Sequence, residues 1–314
     1  MAAINQSNSG VVDREAYSLV YDKELDDLIK KNEQVPKEGL QFVDEMSTNL
    51  TTMKVGAVNQ TVDLPIRAED SSPYQFVQPP EGQSKEFTNL QYELAIGVWE
   101  RAITAQKNRQ IMSMLKGLPN SFARKVEYLI ADLFNSGFDT QTTADGAYIF
   151  DETHYKDDPE AGTWGNEPAS GGGFTTDTLF AAWQHFENMT DEKGFPQPQS
   201  MSEIVYPVAL YEDVMKVLNT GKYPDISTNA ESPWTGTFKP TMYHWLTSST
   251  AWFARGNTDI GQRGFMLVNE TKPLFRPITA DMVGKPTFVW GQHGKMVCSV
   301  GAVEAHDWYG NSGS

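Results

Sequence analysis

Hydrophobic positions along this chain fall into short periodic blocks separated by polar, Gly- and Pro-rich stretches, and the sharpest block lies between Asn120 and His154. Phe122, Val126, Leu129, Ile130, Leu133 and Phe134 recur at intervals of 4, 3, 1, 3 and 1, which places them on one face of an α-helix. Pro119, Asn120 and Ser121 supply a start signal and Gly137 a stop, so a helix is predicted over 121–136. An aromatic-rich turn follows, with Phe138, Asp145-Gly146, then Tyr148, Ile149 and Phe150 ahead of Asp151 and His154. A weaker helical pattern covers 15–34, with Leu19, Leu25, Leu28 and Ile29 as apolar positions; with so few it is marginal unless it lies on a partner. A third helix starts near Thr175, capped by Thr176 or Asp177, with Leu179, Phe180, Trp183 and Phe186 on one side. A fourth is opened by Pro207, carries Leu210, Val214, Val217 and Leu218, and ends at Gly221.

The remaining apolar blocks read as strands. Residues 53–66 and 87–103 are β-rich and flank 67–84, where Pro73, Pro79, Pro80 and Gly82 mark a long hairpin-like excursion with no core of its own. Its bulky residues Tyr74, Phe76 and Val77 need a partner, and such a projection is unusual unless it is a lid or a contact surface. Residues 162–173 read as a boundary. A short strand is expected at Ile204–Tyr206, and strands dominate from Tyr243 onward: 245–253, 265–268, 287–290 and 295–303, with Gly291–Gly294 as a hairpin turn. The sum is α+β with a β-rich closing third.

Composition narrows the class. The 314 residues bury enough apolar surface to fold without staples, as one large domain or two moderate ones. No apolar run reaches the roughly 18 residues of a membrane span, and Met1–Asp13 lacks the apolar core of a signal peptide. The lone Cys298, in a strand-like setting, reads as a buried structural thiol in a protein that folds in a reducing cytoplasm. The net charge of −16 is uneven: residues 101–125 hold no acid but six bases, Arg101, Lys107, Arg109, Lys116, Arg124 and Lys125. That strip is either a solvated helix face or a docking surface for an acidic neighbour, such as another copy's N-terminal segment. A chain this acidic is a poor generic binder of nucleic acid.

Candidate chemistry is sparse. The histidines at 154, 185, 244, 293 and 306 match no familiar zinc spacing, and a structural role is expected for each; neither His185 nor His293 has an obvious orienting carboxylate beside it. Asp151-Glu152 and Asp157-Asp158 read as solvated loop acids. Neither a phosphate-binding Gly loop nor a Gly-x-Ser-x-Gly elbow is present. No catalytic residue, cofactor or metal is therefore expected. Trp164, Trp234, Trp245 and Trp252 could line a sugar-binding surface or pack in a core.

The order of these elements resembles the major head subunit of Mu-like tailed phages. The resemblance is carried by Leu133-Phe134-Asn135-Ser136-Gly137-Phe138, Asp145-Gly146, Ile149-Phe150-Asp151, Thr153-His154, Asn166 in its Gly-rich loop, the helix from Thr175, and Ile204-Val205-Tyr206-Pro207 with Leu210. Trp245, Trp252-Phe253, Pro273–Pro277, Phe288 and a final Trp308 close the pattern, which spans roughly residues 90–310. It implies the tailed-phage major capsid protein fold of the Hong Kong 97 type. Residues 1–50 would be an N-terminal arm, 51–90 an extended loop, 91–170 a peripheral domain with its spine helix at 121–136, 171–260 an axial domain, and 261–314 the strands returning to the peripheral domain. The implied function is a non-enzymatic virion protein, assembled in the host cytoplasm as pentamers and hexamers that close into an icosahedral shell around double-stranded DNA. Scaffold, portal and decoration proteins are the implied partners, without a membrane or sequence-specific DNA contact. A weakly apolar arm and a projecting hairpin, costly in a monomer, suit burial on neighbouring copies. The expected inter-subunit contacts are Tyr17, Leu28, Tyr74, Phe76, Val77, Arg101, Lys107, Arg109 and Lys116. No long coiled-coil segment precedes the fold, so an assembly guide would be a separate protein; Lys54 and Lys85 lie in the loop region with nothing to indicate crosslinking. The competing readings are a secreted carbohydrate-binding or glycoside-hydrolysing protein, and a tail or portal-associated virion component.

Overall fold

In the computed structural model, the amphipathic block at Phe122 is the second half of a longer helix, α1 (Asn108–Asn135). The structure describes residues 37–56, 82–99, 101, 108–156, 162–190, 194–219, 233–257, 264–279, 283–284 and 288–313. The expected start at Ser121 is thus corrected: Pro119 lies inside the helix. A mid-helix proline forfeits one backbone bond, typically about 3 kcal/mol. Burial on both sides of it, with Leu118 fully covered and Phe122 nearly so, offsets that loss, and the Ser121 hydroxyl donates to the Gly117 carbonyl at 3.0 Å. Helix 15–34 lies outside the described residues.

The chain divides into two compact units. The first comprises 1–37, 89–126 and 269–298; the second comprises 38–88, 127–268 and 299–314. The Gly-rich passage 162–173 falls within the second. One four-stranded sheet has the order β1-β10-β11-β4, with β1 (Asp44–Ser47), β4 (Leu90–Trp99), β10 (Phe265–Thr279) and β11 (Phe288–Ala302). Within the first unit β11 runs antiparallel to β4, from Phe288 opposite Trp99 to Cys298 opposite Leu90. The expected turn at Gly291–Gly294 is instead mid-strand, facing Gly97 to Leu94. Gly294 is required by packing rather than by a turn: a Cβ there would sit 2.5 Å from the Phe122 ring, which also meets Phe275 edge-on. Cys298 is buried, and burial pushes its thiol up to about 11.

In the second unit β2 (Thr52–Gly56) and β3 (Ser84–Thr88) form a two-stranded ribbon, paired from Thr52 with Thr88 to Gly56 with Ser84. The connection 57–83 therefore leaves and returns at one point. Val55 and Phe87 root the ribbon in a cluster with Met266, Val268 and Val303. A second sheet has the order β12-β9-β7-β8: β7 (Met201–Tyr206) is central, β8 (Lys239–Met242) runs parallel to it, and β9 (Trp252–Gly256) joins it to β12 (Trp308–Asn311). The strand expected over 245–253 begins only at Trp252, and β8, broken in pattern by Pro240, was hidden by its polar composition. Helix α2 (Thr176–Glu187) and helix α3 (Tyr211–Asn219) pack Leu179, Phe186, Val214 and Leu218 into one core with Ile204, Tyr206 and Trp252. The cap of α2 is Thr175 itself, not Thr176 or Asp177: its hydroxyl accepts from the Thr178 amide while the Thr178 side chain closes the box on the Thr175 amide. Phe180, expected on the core face, is 43% exposed.

Candidate assembly elements and their buried anchors

Asn166 is the hub of the second unit. It is fully buried, and its amide nitrogen donates to the carbonyls of Ile149, Ala305 and Trp308 at 2.8, 3.4 and 3.2 Å. Its Oδ1 accepts from the Asp151 amide at 3.0 Å and faces His154 Nε2 at 3.1 Å. Its backbone bonds Asp151 and Gly310 as well. One side chain thereby joins the aromatic turn, the Gly-rich loop and the C-terminal segment.

His154 is held at both ring nitrogens, since Nδ1 lies 2.9 Å from Asp145 Oδ2. Burial alone would raise the Asp145 carboxyl, but hydrogen bonds from His154 and Thr143 hold it at about 2. The Asp–His pair resembles a catalytic dyad in composition only. With Asn166 occupying Nε2 and the Trp164 indole stacked on the ring at 4.4 Å, no nitrogen is left for a substrate. Lys85, on the ribbon, donates to the Thr142 carbonyl and hydroxyl at 2.8 Å each; burial lowers its ammonium against the pull of Asp145.

A second anchor ties the segment that follows residue 37 to α1. Glu127, 1% exposed, accepts from the Gly39 amide at 2.8 Å, and the Tyr243 hydroxyl lies 3.4 Å from the same carboxylate oxygen. A Cβ on Gly39 would meet Tyr243, Glu127 and Ile130 within 2.9 Å, so the chain passes there only as glycine. Phe42 follows, packed edge-on against Phe134, Tyr243 and Trp308.

Asp307 is a further buried acid, and burial pushes it up to about 6, against the opposing pull of Arg255. Its folded value lies above the ordinary 3.8, so the ionised form costs stability above pH 6 and the cost fades as pH falls towards 4. Asp307→Asn is expected to raise stability by about 2–3 kcal/mol at pH 8, and by little at pH 4. Urea denaturation at the two pH values checks this.

Of the expected contact residues, Tyr17, Leu28, Tyr74, Phe76, Val77 and Lys107 lie outside the described residues. Arg101 is exposed, and Arg109 and Lys116 fall on α1. Apolar exposure instead concentrates at residues that the sequence reading did not single out: Leu90, Leu94, Met114 and Leu274 in the first unit, and Leu50, Tyr128, Tyr155, Phe195, Val208 and Tyr211 in the second. Several are more than half exposed. His293, expected to lack a carboxylate, has Glu93 at 3.6 Å across the β4–β11 pair, a partner 200 residues away in sequence. Of the tryptophans considered for a sugar-binding surface, Trp234 and Trp252 are buried and Trp164 is sandwiched between imidazoles, so these three offer no open platform. Among the described residues no group of three or more His, Cys, Asp or Glu is placed to hold a metal ion, and no helix is long and apolar enough to cross a membrane.

Comparison with known proteins agrees with this assembly-oriented design. No curated protein matches the chain. The procapsid protein of bacteriophage JBD30 superposes with a TM-score of 0.52 at 12% identity, covering 96% of this chain and 76% of that one. The capsid of a native GTA particle gives 0.51 at 12% identity over 88% and 89%, and a protein in the structure of Microbacterium phage Oxtober96 gives 0.50 at 13% over 87% and 89%. These likenesses show the Hong Kong 97-type capsid fold. Residues 91–291, more than half of the chain, match the phage capsid protein family. The chain therefore belongs to the phage capsid protein family, as a structural, non-enzymatic major capsid protein of the virion head.

Proposed function

We propose that this subunit is of the Mu-like kind and closes the shell as pentamers and hexamers around double-stranded DNA. Residues 1–50 act as an arm and 51–90 as an extended loop laid on neighbours; 91–170 form the peripheral domain around the spine helix, 171–260 the axial domain, and 261–314 the returning strands. Scaffold, portal and decoration proteins would complete the head. The observation that carries this reading is the β2–β3 ribbon, whose two strands are rooted in the second unit while their long connection departs and returns at Gly56 and Ser84. The exposed apolar residues on both units supply surface for neighbours to cover. A net charge of −16 suits a container that must release its duplex, because it gives the inner wall little grip on phosphate.

Removing residues 1–34 tests the arm. The described anchor begins at Glu38 and Gly39, so the truncated chain keeps it. It is expected to remain folded but to give no closed particles by electron microscopy and sedimentation. Normal particles from this chain would refute the arm's role.

A further inference from the structure

Three imidazoles and a lysine gather around one indole in the second unit. His154 and His306 stack on Trp164 at 4.4 and 4.0 Å, nearly parallel at 17° and 21°. His185, on α2, lines a cleft of about 300 Å³ with Trp164, Met189, Thr190 and His306, and its Nε2 is buried without a hydrogen-bond partner. Lys156 donates to Thr190 at 2.9 Å on the same cleft. Asp145 is already committed to His154, to the Tyr155 amide and to Thr143, and Glu304 lies 3.9 Å from His306. Lys85 of the ribbon adds another positive charge beside Asp145.

We propose that the His154–Trp164–His306 stack is an acid-sensitive clasp: a proton taken up on His306 or His185 parts the C-terminal segment 304–308 from the Asn166 hub. The geometry sets the sign. Both ring nitrogens of His154 face oxygens, Asp145 Oδ2 and Asn166 Oδ1, so this ring has no nitrogen left over to share a proton taken up by its neighbours. A cation on the far face of Trp164, or on α2 beside it, would be partly buried, with the His306 side chain 25% exposed, in the same cluster as Lys156 and the buried, unpartnered His185 Nε2. Attraction of an imidazolium to the indole face is too small to compensate for lost hydration there. In keeping with this, burial and then the charge of His154 depress His306 to about 3 and His185 to about 4. Both folded values lie below the ordinary 6.5, so the clasp is whole above that pH and weakens steadily as pH falls towards 4.

The test is native-state hydrogen exchange on the full chain between pH 7 and pH 4.5, corrected for intrinsic exchange. The amides to follow are Val303 and Gly310, which bond the Gly264 and Asn166 carbonyls, with Leu218 in α3 as the reference. Protection at Val303 and Gly310 is expected to fall about tenfold per pH unit below pH 6, relative to Leu218. His306→Phe keeps a flat ring on Trp164 and removes the titrating nitrogen, and should flatten this slope while preserving protection at pH 7. Should that variant fail to fold, His185→Gln should still reduce the slope. A wild-type profile with no such pH dependence, or a slope unchanged in the variants that fold, overturns the proposal.

Discussion

Replacing Asn166 with leucine should cost roughly 4–6 kcal/mol, enough to leave the subunit largely unfolded or insoluble. Leucine keeps the branched shape and the number of side-chain heavy atoms, but its methyl groups are bulkier than the amide and it removes every polar partner at once. Three carbonyls, from Ile149, Ala305 and Trp308, lose their donor, and the Asp151 amide and His154 Nε2 lose their acceptor. Each orphaned buried group costs about 1–3 kcal/mol, and relaxation recovers part of the total. Asn166→Asp is a sharper probe, since it keeps the size and both acceptor contacts while turning a carboxylate oxygen towards three carbonyls. It is expected to be about as damaging at pH 7 and less so once protonated in acid. Denaturation of unassembled subunits followed by near-ultraviolet circular dichroism measures both; a loss under 1 kcal/mol for either would show that the hub is dispensable.

Glu127→Ala is the second large effect, at about 3–4 kcal/mol, and it separates anchoring from charge. Alanine strands the Gly39 amide inside the protein, leaves the Tyr243 hydroxyl only its 3.3 Å bond to the backbone carbonyl of residue 127, and opens space beside Ile130. Glu127→Gln retains an amide oxygen for Gly39 and removes the buried charge, so it should cost about 1 kcal/mol or less. Tyr243 reports the difference directly. Burial first, and the Glu127 carboxylate second, drive its hydroxyl far above the ordinary 10, so glutamine should bring its spectrophotometric titration closer to normal while alanine exposes it outright. Proteolysis supplies an independent readout, because cleavage should appear near residues 38–43 in the alanine variant at protease levels that leave the parent chain intact.

How much of this was legible in the residues depends on whether the information is local. The Phe122–Phe134 stripe, the Pro207 helix and the start of α2 near Thr175 announce themselves within a few positions, because helix contacts are made three and four residues apart, although the sequence pattern places the cap of α2 one or two residues late. The long strands did not. Only 265–268 is expected as strand at that place, whereas β10 runs on from Phe265 through Pro273 and Pro277 to Thr279; prolines are tolerated where a strand lacks a paired neighbour on one side, and β1 beside it has only 4 residues. Gly291–Gly294 likewise read as a turn, when the need for glycine at Gly294 came from the Phe122 ring on α1, more than 160 positions away. Asn166 and Glu127 were illegible for the same reason: a single polar residue carries no periodicity, and its partners are assembled only by the fold. The resemblance to phage head subunits held at the level of family and fold, which rest on element order, whereas the contact residues chosen from apolar and basic composition mostly lie outside what the structure describes.

The solitary thiol has a practical corollary. At 1% exposure and with a pKa near 11, Cys298 is almost wholly un-ionised and out of reach of maleimides at neutral pH, since alkylation proceeds through accessible thiolate. A cysteine engineered at an exposed polar site such as Thr140 or Glu187 would then be the favoured target for a dye or a cargo. Copies could thus be labelled at one chosen address without first deleting the native sulfur.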